Sequence, residues 1–356
     1  MRRDTPNPAR PLSHLGALQY GVLSAAELRQ HGVTPAQAAA RCRGGGPWRQ
    51  VLPGVYLLHP GPPTGGERLR AALLYAVPAP ARRDPSRVPP QPPLGVRPGE
   101  APGGFRGVMV TGLAALALYG PGCGVPAGFL EEGAVDVLVP HTRRLRGTGF
   151  VRLLRSPRLP MPVRVGGLPV APPPRALADA LAGPGDPAAA RLLLPAAVRG
   201  GLCETGPLIR ELGEAGLLSR PAVADTVDAL LAEGRARAED LLYRTVRGHG
   251  LPEPLWNVGL RLPGGGPGLG GVDAYWPAQA VAVELDTRAA AGPADGGRWA
   301  AGARKRDRLE RLGIALVRLT PRGLGEYPRQ QAQRIGAALR AARGRRPPAY
   351  VVVVPR

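Results

Sequence analysis

The sequence predicts a multidomain α/β protein, and three observations carry that expectation. The chain has 356 residues, 44% of them hydrophobic, which is more than one ordinary core needs and enough to bury two or three. Capped helices alternate with short apolar strand-like runs along most of its length. No apolar run approaches the roughly 18 residues needed to cross a bilayer, and the start "MRRDTPNPARPLSHLG" has charge without an apolar segment behind it. A cytoplasmic protein with no membrane attachment is expected.

The first unit expected is 1–62. "SAAE" (Ser24 to Glu27) and "TPAQ" (Thr34 to Gln37) are both capping boxes, in which the first side chain caps an amide three residues on and the last reaches back. Each starts a helix, the second with Pro35 at its first position, and "HGV" between them gives helix-turn-helix spacing. "PWRQVLPGVYLLHP" then predicts two strands around a Pro53-Gly54 turn, a hairpin where a winged helix carries its wing. A central α/β unit is expected over 63–182, interrupted by a disordered insertion rich in Pro, Gly and Arg at 78–107. Its elements are the helix "GERLRAALLYAV", a helix capped by Thr111, the strands "AVDVLVP", "GFVRLLRS" and "VRVGGLPV", and the helix "PPPRALADALA". Residues 183–232 predict a helical connector. The last domain, 233–345, should run helix, three strands, helix, strand, helix, and the tail 346–356 offers an extra edge strand.

The balance of 47 Lys+Arg against 26 Asp+Glu leaves a net charge of +21, which attracts polyanions and makes nucleic acid the default partner. Arginine supplies almost all of it, and Lys305 is the one lysine; part of the excess reads as the codon bias of a GC-rich genome. Cys42, Cys123 and Cys203 are odd in number and widely spaced, which fits neither a disulfide framework nor a zinc site and suits a reducing compartment.

Against that basic background, "GVDAYWPAQAVAVELDTR" (271–288) places Asp273, Glu284 and Asp286 inside two apolar runs. A hairpin turning at "WPAQ" sets Trp276 opposite Val281 and Asp273 opposite Glu284. Alternation then puts Glu284 and Asp286 on one face and Val281, Val283 and Leu285 on the other. Three carboxylates on one patch repel unless a proton or cation lies between them, and hard oxygens suit Mg²⁺ or Mn²⁺. Lys305 and its neighbours Arg304 and Arg306, on the helix that follows, are the candidate cations for charge developing on a phosphodiester. The plainer alternative is an acidic solvent face on an ordinary hairpin.

The segments "VDAYWP", "AVAVELD" and "RKRDRLERLGIALVRLTP" resemble the PD-(D/E)XK nuclease fold, in particular the branch akin to very-short-patch-repair (Vsr) endonucleases, over residues 233 to 340. The resemblance implies that Asp273 and Glu284 hold a metal, Mg²⁺ or Mn²⁺, with Glu239 of "RARAED" joining them. Asp286 stands where a lysine is customary, which leaves Lys305 or Arg306 to supply the charge, and "TRAAAG" stands where relatives tend to carry a histidine. "GVLSAAELRQHGVTPAQAAARCRGGGPWRQVLPGVYLL" is similar to the winged helix of AbiEi-type antitoxins of type IV toxin-antitoxin systems, and the central block resembles the domain that follows it there. A cognate toxin or operon partner would accompany such a protein.

Within the front unit, Gln37, Arg41 and Arg43 sit on or just after the second helix, where a recognition helix offers side chains to base edges or phosphates, and Arg49 on the wing would meet a phosphate. The four tryptophans read as packing residues, and the five histidines show no metal spacing. Three functions remain in view. They are a metal-dependent DNA endonuclease, an AbiEi-type regulator retaining an inactive nuclease fold, and a protein-interaction module.

Overall fold

The computed structural model describes residues 21–77, 105, 107–183, 187–264, 266, 268–286, 296–342 and 351–355, with backbone alone for 296–302. Among the described residues the protein is mixed α/β with three sheets, and no helix there is long and apolar enough to cross a membrane. Most of the insertion expected at 78–107, and the Ala/Gly loop after the acidic strand at 289–295, lie outside the described residues. Two compact units emerge, Met1–Cys203 with Glu211–Ala222, and Glu204–Arg210 with Val223–Arg356.

In the first unit, β1 (Val22–Ser24) runs directly into α1 (Ala25–Gln30), because Ser24 closes a capping box with Glu27. Its hydroxyl accepts from the Glu27 amide at 3.2 Å, and the Glu27 carboxylate accepts from the Ser24 amide at 2.7 Å. α2 (Pro35–Arg41) starts the same way on Thr34 and Gln37. The chain turns between them through Gly32, whose φ of +78° suits glycine. The hairpin β2 (Arg49–Leu52) and β3 (Val55–Leu57) closes a three-stranded sheet in the order β1-β3-β2. Leu23, Leu28, Val33, Ala38 and Trp48 pack beneath it.

A third capping box, Thr64 with Glu67, opens α3 (Gly65–Ala76). Beyond it, β4 (Met109–Thr111) meets α4 (Gly112–Tyr119), then come α5 (Phe129–Glu132), β5 (Val135–Pro140), β6 (Val151–Ser156), β7 (Val163–Val165) and β8 (Leu168–Val170). The five strands order β6-β5-β4-β8-β7. "VRVGGLPV" is two strands rather than one, since Gly166 and Gly167 at φ +56° and +79° fold it into a hairpin. Thr111 does not cap α4 with its side chain. Its hydroxyl donates to the Asp179 carboxylate at 2.6 Å instead, tying the sheet to α6 (Pro173–Leu181). Helices α7 (Pro187–Arg199) and α8 (Thr205–Glu214) follow.

α9 (Pro221–Gly248) is one helix of 28 residues, unbroken across 232 and 233, where the sequence divides connector from last domain. Gly234 costs a helix about 1 kcal/mol, too little to break one anchored by apolar contacts further along. The second unit's sheet contains β9 (Leu255–Arg261), β10 (Gly268–Trp276) and β11 (Val281–Leu285), three antiparallel neighbours. After α10 (Gly296–Arg311), β12 (Ala315–Leu319) lies parallel to β11; α11 (Pro321–Glu326) and α12 (Pro328–Ala341) come next, and β13 (Val352–Pro355) pairs antiparallel with β9. The order is β12-β11-β10-β9-β13. One face buries Ala274, Trp276, Val281, Val283 and Leu285 against Ala238, Leu242 and Val246 of α9 and Ile335 and Leu339 of α12. The other buries Val272, Tyr275 and Ala282 against Leu309 of α10 and Ile314. α9 and α10 therefore cover opposite faces, and each contributes a cation to the acidic strands between them.

Candidate functional site

The hairpin has the expected register: Trp276 pairs with Val281, Tyr275 with Ala282 and Ala274 with Val283. Val281, Val283 and Leu285 share the α9 face as alternation requires. The ladder between β10 and β11 stops one step short of Asp273 and Glu284, and the side chain of Asp273 takes its place. Oδ2 of Asp273 accepts the Leu285 amide at 2.6 Å, so the carboxylate serves as an acceptor where the ladder ends. Asp273 is 4% exposed, and a carboxylate at that depth needs compensating charge.

The compensating charge comes from α9. Arg235 Nη2 donates to Asp273 Oδ1 at 2.6 Å, while Nε of the same guanidinium lies 2.8 Å from Glu239 Oε1, one helical turn away. Arg235 thus bridges two of the acids expected to bind metal. Glu284 is served from the other face, where Lys305 Nζ reaches Oε1 at 2.8 Å and also donates to the Gly271 carbonyl at 2.8 Å. The lysine passes over Gly270, where a Cβ would sit 3.1 Å from its Cε and where φ is +102°. Asp286 pairs with Arg318 of β12 at 2.9 Å, and its amide donates to the Leu319 carbonyl.

Sequence and structure part over the grouping of these acids. Asp273, Glu239 and Arg235 form one cluster, Glu284 and Lys305 a second, and Asp286 and Arg318 a third. Among the described residues no three of His, Cys, Asp and Glu gather into a set that could hold a metal ion, so the expected single patch of carboxylates is corrected to three separate ion-paired clusters. The reason is geometric: Asp273 turns to the ladder end and α9, and Glu284 turns to α10. Arg306 makes no hydrogen bond or ion pair with the described residues and Arg304 is exposed, so of the three candidate cations on α10 it is the lysine that meets Glu284 among the described residues. Sequence reasoning missed Arg235 and Arg318. Arg235 was visible as the i−4 partner of Glu239, and Arg318 as the residue in register with Glu284 on a parallel neighbour.

In the front unit, Gln37, Arg41, Arg43 and Arg49 are all exposed. Two of them have other work. Gln37 Oε1 accepts from the Thr34 amide as half of the capping box, and the Arg41 guanidinium lies 4.4 Å from the centroid of the Trp48 ring. Arg43 and Arg49 pair with none of the described residues and present their charge to solvent. Trp48 and Trp276 are packing residues, 8% and 2% exposed. No family model matches the chain, and no curated protein matches it significantly.

Proposed function

We propose that the chain is a DNA-binding protein in which residues 21–58 act as a winged helix-turn-helix and residues 223–356 as a nuclease-type, Vsr-like PD-(D/E)XK domain. More particularly, it is a regulator of the AbiEi antitoxin kind whose nuclease-type domain engages DNA without cutting it.

One observation carries the non-cleaving reading: each acid of the expected catalytic set is neutralised by a cation of this chain, Arg235, Lys305 or Arg318. The donor chemistry of Glu239, Asp273 and Glu284 suits Mg²⁺ or Mn²⁺. Their arrangement does not, because the guanidinium already bridges two of them and the third faces Lys305 from α10. DNA binding is supported by the net charge of +21 and by the solvent-facing Arg43 and Arg49 beside the second helix and on the hairpin.

A second reading, the Mg²⁺-dependent endonuclease, is favoured by the approach of Lys305 to Glu284 at 2.8 Å. Supercoiled plasmid incubated with the full chain and Mg²⁺ or Mn²⁺ decides between them. The regulator reading expects a gel shift that weakens with salt and no nicking. Nicking that Asp273→Ala abolishes establishes the endonuclease, and the absence of any salt-dependent shift removes both in favour of a protein-interaction module.

A further inference from the structure

We propose that Cys123 and Cys203 form a redox-sensitive dithiol, which a small-molecule disulfide converts to an intramolecular disulfide stapling the end of α7 to the turn that follows α4. All three cysteines are free thiols in this structure, and sequence spacing hides the pair because its members stand about 80 residues apart. Close packing brings them together. Cys123 ends the 3₁₀ turn Pro121–Cys123, and Gly124, at φ +74°, takes the chain on against α7. A Cβ at Gly124 would sit 3.3 Å from Leu192 Cγ, 3.5 Å from Leu193 Cδ2 and 3.6 Å from Ala196 Cβ, so the turn lies directly on the second half of that helix. Beyond Arg199 the backbone folds back. The Gly200 amide donates to the Ala196 carbonyl at 2.9 Å and the Leu202 amide to the Ala197 carbonyl at 2.9 Å, with Gly201 at φ +71°, a glycine termination that reverses the chain at a helix end. This return passes beside the turn, where a Cβ at Gly200 would lie 3.7 Å from the Gly122 carbonyl oxygen. Cys203 follows, close enough to Cys123 for the charge of a Cys123 thiolate to act on it.

Burial sets the chemistry. Cys123 is 4% exposed and Cys203 is half-buried; burial pushes both thiols up, and the neighbouring Cys123 adds to the effect at Cys203, which reaches about 12. The surroundings penalise a thiolate but not a disulfide, which carries no charge. The dithiol is therefore slow to react, and its product suits the site better than the ions that lead to it. Tyr119, also beside Cys123, does not serve as a base: its hydroxyl donates to the Ala171 carbonyl at 2.9 Å and is itself pushed up to about 12. The more exposed Cys203 loses its proton to water and attacks one sulfur of the small disulfide, leaving a mixed disulfide and releasing one small thiolate. Cys123 then loses its proton and attacks the Cys203 sulfur, and the second small thiolate leaves; both small thiolates take up protons. Two protein thiols are oxidised and one small disulfide is reduced to two thiols. Cys203 is also the last residue of the stretch Met1–Cys203, so the staple fixes the chain where it leaves the first unit.

The test incubates the full chain with oxidised glutathione, maps links by mass spectrometry of a non-reducing digest, and reads melting by circular dichroism. Cys42→Ser, which leaves only the pair, should lose two hydrogens, yield a peptide joining Cys123 to Cys203, and melt roughly 5–15 °C higher until dithiothreitol reverses both changes. The wild type should yield the same linked peptide. Cys123→Ala should stop at one glutathione on Cys203, and Cys203→Ala should leave Cys123 unmodified, with neither gaining stability. Raised thiols require a link that forms about tenfold faster per pH unit between about 7 and 9. The link in the wild type is read whether or not either alanine variant folds. A wild-type chain that takes glutathione on Cys42 yet forms no link between Cys123 and Cys203 overturns the proposal. A link that forms only in urea, or that lowers the melting temperature, overturns it too, because the native packing would then hold the sulfurs apart. DNA binding plays no part in these readouts, so the proposal stands or falls separately from the function proposed above.

Discussion

Replacing Lys305 with methionine keeps the aliphatic stem and removes the ammonium, which isolates the pair that faces Glu284. At 2.8 Å, with the two side chains 19% and 18% exposed, the Coulomb attraction is about 6 kcal/mol at an effective dielectric constant of about 20. Desolvation of both charges offsets most of it, and hydrogen bonds to charged groups leave a net of about 1.5–3 kcal/mol. Lys305→Met also removes the hydrogen bond to the Gly271 carbonyl, so a loss of about 2–3 kcal/mol is expected. Glu284→Gln keeps shape and some hydrogen bonding and should cost about 1–2 kcal/mol. Urea denaturation followed by tryptophan fluorescence reads the right unit, since Trp256, Trp276 and Trp299 all belong to Val223–Arg356 and Trp48 alone does not. The double variant should recover about 1–2 kcal/mol relative to the sum of the singles. Additivity within about 0.5 kcal/mol would mean that the two charges do not interact, and the geometry argued for the site would be wrong.

Gly270→Ala should destabilise the same unit by about 2 kcal/mol. A φ of +102° strains any L-residue, and the new Cβ meets Lys305 Cε at 3.1 Å; an alanine as stable as the glycine in the same denaturation assay would contradict this. Burial would raise the Glu67 carboxyl, but the Thr64 amide, His59 and the Thr64 hydroxyl outweigh it and hold the group below its usual range. A depressed acid stabilises above its unfolded value, about 4.3, and that stability is lost as pH falls through the folded value. Glu67→Gln, which can still complete the capping box, should therefore cost about 1 kcal/mol at pH 7 and less as pH falls below about 4.3; a cost that stays the same as the pH is lowered, measured by circular dichroism in urea, excludes the charge as its origin. Arg49→Ala should weaken DNA binding alike for all sequences and lower the salt slope by about 1, whereas a change confined to one sequence would make Arg49 a base reader.

Most of the architecture was written in local signals. Ser24, Thr34 and the Pro53-Gly54 turn fixed the front unit because each acts within a few residues, and the short turn at "WPAQ" fixed the hairpin register because it decides which residues stand opposite one another. Readings failed where a distant partner decided. Thr111 looks like a cap, and it is the carboxylate of Asp179, 68 residues on, that claims its hydroxyl. "VRVGGLPV" looks like one strand, and its two left-handed glycines make it a hairpin. α9 continues through Gly234 because the buried Thr226, Val227 and Leu230 on one side and Ala238 and Leu242 on the other hold both halves to a helical path.

The acidic strands show why residue type and spacing stop short of function. Alternation correctly assigned Glu284 a face, yet a face says only which neighbours can arrive. α10 delivers Lys305 to Glu284 and α9 delivers Arg235 to Asp273, each from its own side of the sheet. With Asp273 and Glu284 reached from opposite faces and Asp286 met by Arg318 of β12, each acid finds a separate protein cation, and the repulsion between the acids is relieved within the fold. The decisive residue is therefore Arg235, a member of an unremarkable i, i+4 pair. Such pairs contribute only about 0.5 kcal/mol on an exposed helix, and this one acquires its weight because Asp273, at 4% exposure, is brought to its other edge.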